Sequence, residues 1–190
     1  MMMSESEKKE LSEYLQETAP SIQAVFIPPA EAVFEENVRM NCYYCSKYGR
    51  SWRCPPNLPD IDFVKMFQEF DDGLFLCLAC PVEQKSLYES VRNESSIALH
   101  KILLQLETWM WNHDRPGAVS FGAGSCKLCK GGCGPDRCNN PSMSRSPLEA
   151  AGVNVIKTAQ KYGIQIHFPA DQAIIRAGMI LWQNPGGGKN

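Results

Sequence analysis

The residues best suited to chemistry are four cysteines that fall within thirteen positions: Cys126, Cys129, Cys133 and Cys138. Their spacing is C-x2-C-x3-C-x4-C, and residues 139–141 continue as Asn-Asn-Pro. Four thiolates this close in sequence converge in a loop wrapped around a common centre, which indicates metal binding. Zinc ribbons and fingers separate their ligands into two distant pairs, whereas ferredoxin loops keep their cysteines contiguous with a proline near the last. The gaps differ from the bacterial ferredoxin run, yet contiguity favours an iron–sulfur cluster, with [4Fe-4S] as the expected type and zinc as the alternative.

A second set consists of Cys42, Cys45 and Cys54, in the pattern C-x2-C-x8-C-P-P. Three plus four thiolates predict two centres, the first completed by a non-cysteine ligand, water or substrate. Alternatively, one cysteine crosses between the sets, as in two-cluster ferredoxins, so that one or two clusters are both open. An open position at the three-cysteine site would let a metal act on a substrate. A structural zinc or a cluster of reduced thiols is the plainer alternative for this set.

The remaining two cysteines, Cys77 and Cys80, have the C-x2-C spacing of a thioredoxin-like redox pair and are followed by Pro81. Cys77, however, lies in the apolar run of residues 74–79, and a strand sends residues three apart to opposite faces. We therefore expect two buried, inert thiols.

The histidines are weak candidates for ligands. His100 is placed on the polar side of a long helix, His113 at its end and His167 in a closing strand, so each is expected to be a surface or hydrogen-bonded residue. Glu107 flanks the buried stripe of the same helix and is the carboxylate expected to contact a metal loop.

Composition restricts the class of protein. The 190 residues are 44% hydrophobic and contain no apolar run long enough for a transmembrane helix, and the polar start excludes a secretory signal. We therefore predict a cytoplasmic protein, in which nine cysteines do not form a disulfide framework. Residues 42–56 and 122–146 each carry a net charge of +3, and the rest of the chain carries −8. This basic setting suits anionic metal–thiolate centres, whereas the slightly acidic whole chain argues against nucleic-acid binding.

Hydrophobic patterns predict an α/β fold, with helices packed on a mixed sheet and both cysteine loops at one end of that sheet. The predicted helices span residues 5–17, 61–70 capped by Asp60, 87–112, and 147–162 with a break at Gly152. The predicted strands span residues 21–27, 74–79, 118–121, 164–168 and 174–182, with a further short pairing at 32–34. A single metal-binding domain over residues 1–190 is expected, ending in a flexible tail over 184–190.

Several motifs in order resemble a cysteine-rich family of predicted metal-binding proteins of unknown function. The first signature covers residues 42–49 and 52–56, and the second covers residues 123–141, including all four clustered cysteines. The stretch Ser-Pro-Leu-Glu-Ala-Ala-Gly at residues 146–152 also matches. The resemblance extends from about residue 33 to residue 168; Asn139 departs from it where arginine is expected, and the cysteine ligand before it is retained. The resemblance implies metal binding and brings no established reaction.

Three functions follow from these patterns. The leading hypothesis is an iron–sulfur protein for electron transfer or redox maturation, acting with a larger redox partner. The second is an enzyme that binds its substrate at an open metal position of the three-cysteine site. The third is a zinc-stabilised interaction module without redox activity.

Overall fold

A four-stranded antiparallel sheet forms the centre of the computed structural model, which describes residues 3–167 and 173–186. Its strands are β1 (Ile22–Ile27), β2 (Asp72–Pro81), β3 (Val119–Phe121) and β4 (Ala173–Trp182). Their spatial order is β1-β2-β4-β3, and β2 pairs with β4 along its whole length, from Asp72↔Trp182 to Pro81↔Ala173. Four of the predicted strands are thus confirmed within two residues at each end.

Strand β2 lies inside the sheet, between β1 and β4, and its side chains are apolar on both faces. Phe75 and Cys77 point into one hydrophobic cluster, and Leu74 and Leu76 point into another on the opposite face. A strand covered on both sides reads as a continuous apolar run, which is the pattern that predicted it.

The described residues form six α-helices: α1 (Glu5–Thr18), α2 (Glu36–Tyr43), α3 (Phe63–Gln68), α4 (Tyr88–Asn112), α5 (Leu148–Ala151) and α6 (Val155–Lys161). Single 3-10 turns lie at Pro29–Glu31 and Lys85–Leu87. Helices α1 and α4 pack on one face of the sheet, and α3, α5 and α6 on the other. The prediction of helices packed on a sheet is confirmed.

Helix α4 packs on β4 at Gly178, where there is little room for a side chain. A Cβ atom at Gly178 would lie 3.2 Å from side-chain carbons of both Leu99 and Leu103 and 3.0 Å from the Phe121 carbonyl oxygen. A larger residue would therefore push away the helix that, as shown below, carries the anchors of the second cysteine loop.

The structure corrects three details of the sequence prediction. Helix α3 is capped by Asp62, whose carboxylate accepts a hydrogen bond from the Lys65 amide, instead of by Asp60. Helix α2 was not predicted, and it places Cys42 in a helical turn. The predicted strand at 164–168 is wrong over residues 164–167, which pair with no strand, and residue 168 lies outside the described residues. The predicted break at Gly152 is confirmed, since this residue ends α5 with φ +99°.

The start and end of the described chain meet at Arg115, whose side chain is only 4% exposed. Its guanidinium donates to Glu7 Oε1 at 2.6 Å and to Asn184 Oδ1 at 3.2 Å. Hydrogen bonds from the Ser4 hydroxyl and amide, and then from Arg115, lower the pKa of Glu7 to about 2. Asn184 is thus buried and bonded, while residues 187–190 of the predicted tail lie outside the described residues.

We expect Glu7→Gln to destabilise the protein at neutral pH and to have no effect near pH 2. Glutamine keeps the helix cap with Ser4 but removes the charge beside Arg115. Because the folded pKa lies below the ordinary value, the carboxylate stabilises fully above pH 4.5, and this contribution disappears as the pH falls toward 2. Because solvent screens the exposed third of the Glu7 side chain, we expect the free energy of unfolding at pH 7 to fall by only about 1–2 kcal/mol. Urea unfolding of both proteins at the two pH values measures it, with the exposed Glu13→Gln as control; an equal loss at both would contradict the assignment.

The single-domain prediction and the position of the cysteine loops at one end of the sheet stay predictions. Within residues 3–167 and 173–186, no helix combines the length and the apolar character needed to cross a bilayer.

Candidate metal centre

The first cysteine set lies at the end of α2 and in the folded loop that follows, residues 42–56, called loop 1 here. Cys42 lies in the last turn of α2, and its carbonyl oxygen accepts from the Cys45 amide at 3.1 Å. Turn hydrogen bonds continue to Cys54, whose amide donates to the Ser51 carbonyl at 3.2 Å. Cys54 is buried at 7% exposure, whereas Cys45 is exposed and Cys42 intermediate.

The second set lies in residues 122–146, called loop 2, which leaves β3 and returns to α5. The base of the loop is closed by hydrogen bonds from the Gly122 amide to the Ser146 carbonyl and from the Leu148 amide to the Gly122 carbonyl. Both ends of the loop are therefore fixed to the sheet and to a helix.

Helix α4 anchors loop 2. Glu107 accepts hydrogen bonds from Arg145 and also from the Ser120 amide and hydroxyl at 3.1 and 2.5 Å. His100 is buried and its Nε2 lies 2.7 Å from the Met143 carbonyl oxygen. Glu107, which the sequence singled out as the first carboxylate to examine for contact with a cysteine loop, thus contacts loop 2. The placement of His100 on a polar side was wrong, because the loop covers that face of the helix.

The other histidines play no part in the loops. His113 stacks on Trp109 with 3.6 Å between ring centroids, and its Nδ1 lies 2.7 Å from the Trp109 carbonyl oxygen. His167 is exposed. Cys77 is buried in the cluster on one face of the sheet, where burial raises its pKa to about 12, and Cys80 packs partly buried on the opposite face. This arrangement confirms the expected separation of the two thiols.

The two loops contact each other through residues that flank Cys54. Trp52 Nε1 donates to the Gly134 carbonyl at 2.8 Å. Arg53 Nε donates to Ser144 Oγ at 2.5 Å, and Arg53 Nη2 to the Pro141 carbonyl at 2.7 Å. The sequence showed Trp52 and Arg53 only as neighbours of a cysteine and as local charge, and it did not predict that they join the loops.

A cavity of about 490 Å³ opens between the loops. All four cysteines of loop 2 line it, together with five cationic residues and no acidic one. The cations are Lys47, Arg50, Arg53, Lys127 and Lys130. Burial, and then the charges of Lys47, Arg92 and Arg176, lower the pKa of Lys127, as expected where positive charges crowd together.

The thiols of each set influence one another. Burial raises the pKa of Cys126, and the charges of Cys133, Cys138 and Cys129 raise it further. Burial likewise raises the pKa of Cys54 to about 11, with contributions from Cys42, Cys45 and, across the loops, Cys126. A bound cation would remove this mutual repulsion and displace the thiol protons.

The donor chemistry fits a thiolate-bound metal. All nine cysteines are free. Polar groups also point at sulfur: the Asn140 amide nitrogen lies 3.2 Å from Cys129 Sγ, and the Ser144 hydroxyl lies 3.4 Å from Cys138 Sγ. Such contacts orient and tune ligating thiolates. Within the described residues, no three His, Cys, Asp or Glu side chains are yet close enough to share one ion, so binding must draw the sulfurs together.

Comparison with known proteins agrees with this chemistry. The chain belongs to the family described as "Predicted metal-binding protein (DUF2284)", whose family model matches residues 25–182 and so includes both loops. This confirms the family resemblance and, with it, a predicted metal-binding protein of unknown function. No curated protein and no solved structure matches the chain.

Proposed function

We propose that the protein is a cytoplasmic iron–sulfur protein, a single metal-binding domain, whose loop 2 holds a [4Fe-4S] cluster. It would exchange electrons with a larger partner enzyme, in electron transfer or in the redox maturation of that partner. Family membership supports metal binding only; the type of centre and its role are inferred from the site. The observation that carries the proposal is the cavity lined by four thiols and five cations.

The charge of this cavity favours an anionic centre. Cys126, Cys129, Cys133 and Cys138 would be the cluster ligands, and four thiolates around a cluster leave it negatively charged. The cavity walls supply Lys and Arg side chains and no carboxylate, so the field stabilises such a centre. When bound, the cluster supplies one-electron redox chemistry at a potential set by charge and hydrogen bonds to sulfur.

The Asn140–Cys129 contact is one such hydrogen bond. The amide donor lies 3.2 Å from the sulfur, and Asn140 also holds the loop by accepting a backbone hydrogen bond from Ser144 at 2.9 Å. A donor fixed by the backbone of its own loop stabilises the thiolate form and thereby tunes the centre.

The surface beside the cavity suits a partner protein. Tyr43 contacts Tyr44 and Tyr48 edge to face, at centroid distances of 5.5 and 5.2 Å, and Tyr44 is 75% exposed. Exposed aromatic side chains beside a basic rim are typical of interfaces. We therefore expect the partner to present an acidic surface.

Anaerobic purification tests the proposal directly. Reconstituted protein should contain iron and acid-labile sulfide, and its broad thiolate-to-iron absorption should bleach on reduction. Reduction by anionic dithionite should slow as salt rises, and reduction by a cationic viologen should accelerate, because the rim is positive. Absence of iron and sulfide after reconstitution, or a colourless protein with one zinc in loop 2, would replace the proposal with the zinc-stabilised module.

A further inference from the structure

Among the described residues, one buried carboxylate oxygen has no hydrogen-bond partner. Glu149 lies on α5 directly after loop 2, and its Oε2 atom is buried without a hydrogen bond. Among the described residues the only similar atom is the neutral Trp182 Nε1. A buried, unpaired carboxylate oxygen is costly, so it requires an explanation.

Arg176 is the basic residue whose charge acts on the Glu149 carboxylate, but its guanidinium forms its hydrogen bonds elsewhere. Arg176 Nε donates to Ser95 Oγ at 3.1 Å, and its Nη2 donates to the Arg92 carbonyl at 2.7 Å. Burial raises the pKa of Glu149. A backbone hydrogen bond from Glu149 itself, the charge of Arg176 and a backbone hydrogen bond from Gly124 favour the charged form, but they offset the effect of burial only in part. The carboxylate therefore retains an unused ligating oxygen.

Glu149 lies beside the first cysteine set. Helix α5 packs against α2, and the Glu35 amide donates to the Gly152 carbonyl at 2.9 Å, which fixes the two helices together. Cys42 is in the last turn of α2, so Glu149 and Cys42 lie on two helices in contact. Burial, and then the charge of Glu149, raise the pKa of Cys42. Within the described residues no three such donors are yet close enough to share one ion, so loop 1 must close toward Glu149 when a metal binds.

We propose that Glu149 is the fourth ligand of a zinc ion held by Cys42, Cys45 and Cys54. Three thiolates and one carboxylate are donors that zinc accepts, and four ligands complete a tetrahedral structural site. The ion would fasten loop 1 and α2 to α5, while Cys45, the exposed ligand, moves inward on binding. The inference rests on the proposed function only in assigning loop 2 to the cluster, and it fills the position that a substrate-binding metal would leave open.

Zinc titration of a protein with all four cysteines of loop 2 changed to serine isolates this site, because loop 2 then offers zinc no thiol. Chelator competition should find one tight zinc, and Glu149→Gln in this background should weaken it at least about 100-fold. Glu36→Gln, an exposed glutamate on α2, is the matched control and should change nothing. Cobalt in place of zinc should give intense tetrahedral bands that Glu149→Gln removes. Equal affinity in Glu149→Gln and its parent overturns the proposal.

Stability of the metal-free protein separates a ligand from a packing residue. Without zinc, Glu149→Gln should unfold at the same or a higher temperature than its parent, because it removes a buried charge whose Oε2 atom has no hydrogen bond. With zinc, only the parent should gain stability. A lower melting temperature of the metal-free variant, with the zinc gain intact, overturns the proposal. Iron and sulfide measured in wild-type protein report separately on the cluster, so either idea can fail alone.

Discussion

Cys129→Ser is expected to abolish the cluster and to destabilise loop 2. The change leaves one iron without its thiolate, and the three remaining cysteines cannot complete the cluster. Metal binding and folding are coupled, so the loss affects both cluster content and local stability. Iron and sulfide per chain should fall at least about tenfold. The same result is expected for the other three loop ligands, Cys126, Cys133 and Cys138.

Substitutions at the other cysteines provide the controls. Cys77→Ala should keep full metal content and lose about 1 kcal/mol, since Cys77 is a buried core residue, and Cys80→Ala should also keep the metal. Cys42→Ser, Cys45→Ser or Cys54→Ser should remove a separate share of metal if there are two centres, and the same share if there is one. Normal metal content in Cys129→Ser, together with loss in Cys77→Ser, would show that the ligand assignment is wrong.

Strong local patterns made most of the fold predictable. Strand β2 has apolar residues on both faces, and α4 repeats apolar residues at helical spacing, so both elements were expected. Helix α2 was not expected because none of its residues is buried. It is held at its start by the Glu35–Gly152 backbone hydrogen bond, which joins residues far apart in sequence.

The predicted strand at 164–168 failed for a different reason. Ile164 and Ile166 alternate with polar residues, and this alternation is the pattern expected of a half-buried strand. In the structure, however, the Ile164 amide donates to the Ala159 carbonyl at 3.0 Å, and Gly163 has φ +75°. The segment is therefore a coil that follows the end of α6, and buried Ile164 packs it against the core.

The candidate site was only partly predictable. Cysteine spacing indicates metal ligands because their convergence is local, and the position of Glu107 on α4 indicated a loop contact. The contacts Trp52–Gly134 and Arg53–Ser144 join residues 82 and 91 positions apart, and no local pattern encodes them. In the sequence, Glu149 stood out only as one residue of a matching motif, because its unpaired oxygen arises from the packing of the folded structure.

Glu107→Gln is expected to cause the largest loss of stability outside the cysteines. The side chains of Glu107 and Arg145 are only 16% and 18% exposed, and the carboxylate also accepts two hydrogen bonds from Ser120. Removing one partner of a buried ion pair leaves the other charge uncompensated, so we expect a loss of about 3 kcal/mol in the free energy of unfolding. Urea unfolding of metal-free protein at neutral pH measures it.

The matched control is Glu89→Gln on the same helix. Glu89 and Arg92 form an exposed pair at 3.3 Å, with 69% and 53% of the side chains accessible, so the loss should stay below about 0.5 kcal/mol. Because Arg145 closes loop 2 onto α4 and β3, Glu107→Gln should also release iron to a chelator faster than wild type does. If both variants unfold alike and release iron alike, the ion pair does not hold the loop. Rapid iron release with unchanged stability would instead mean that Glu107 positions the loop without stabilising the fold.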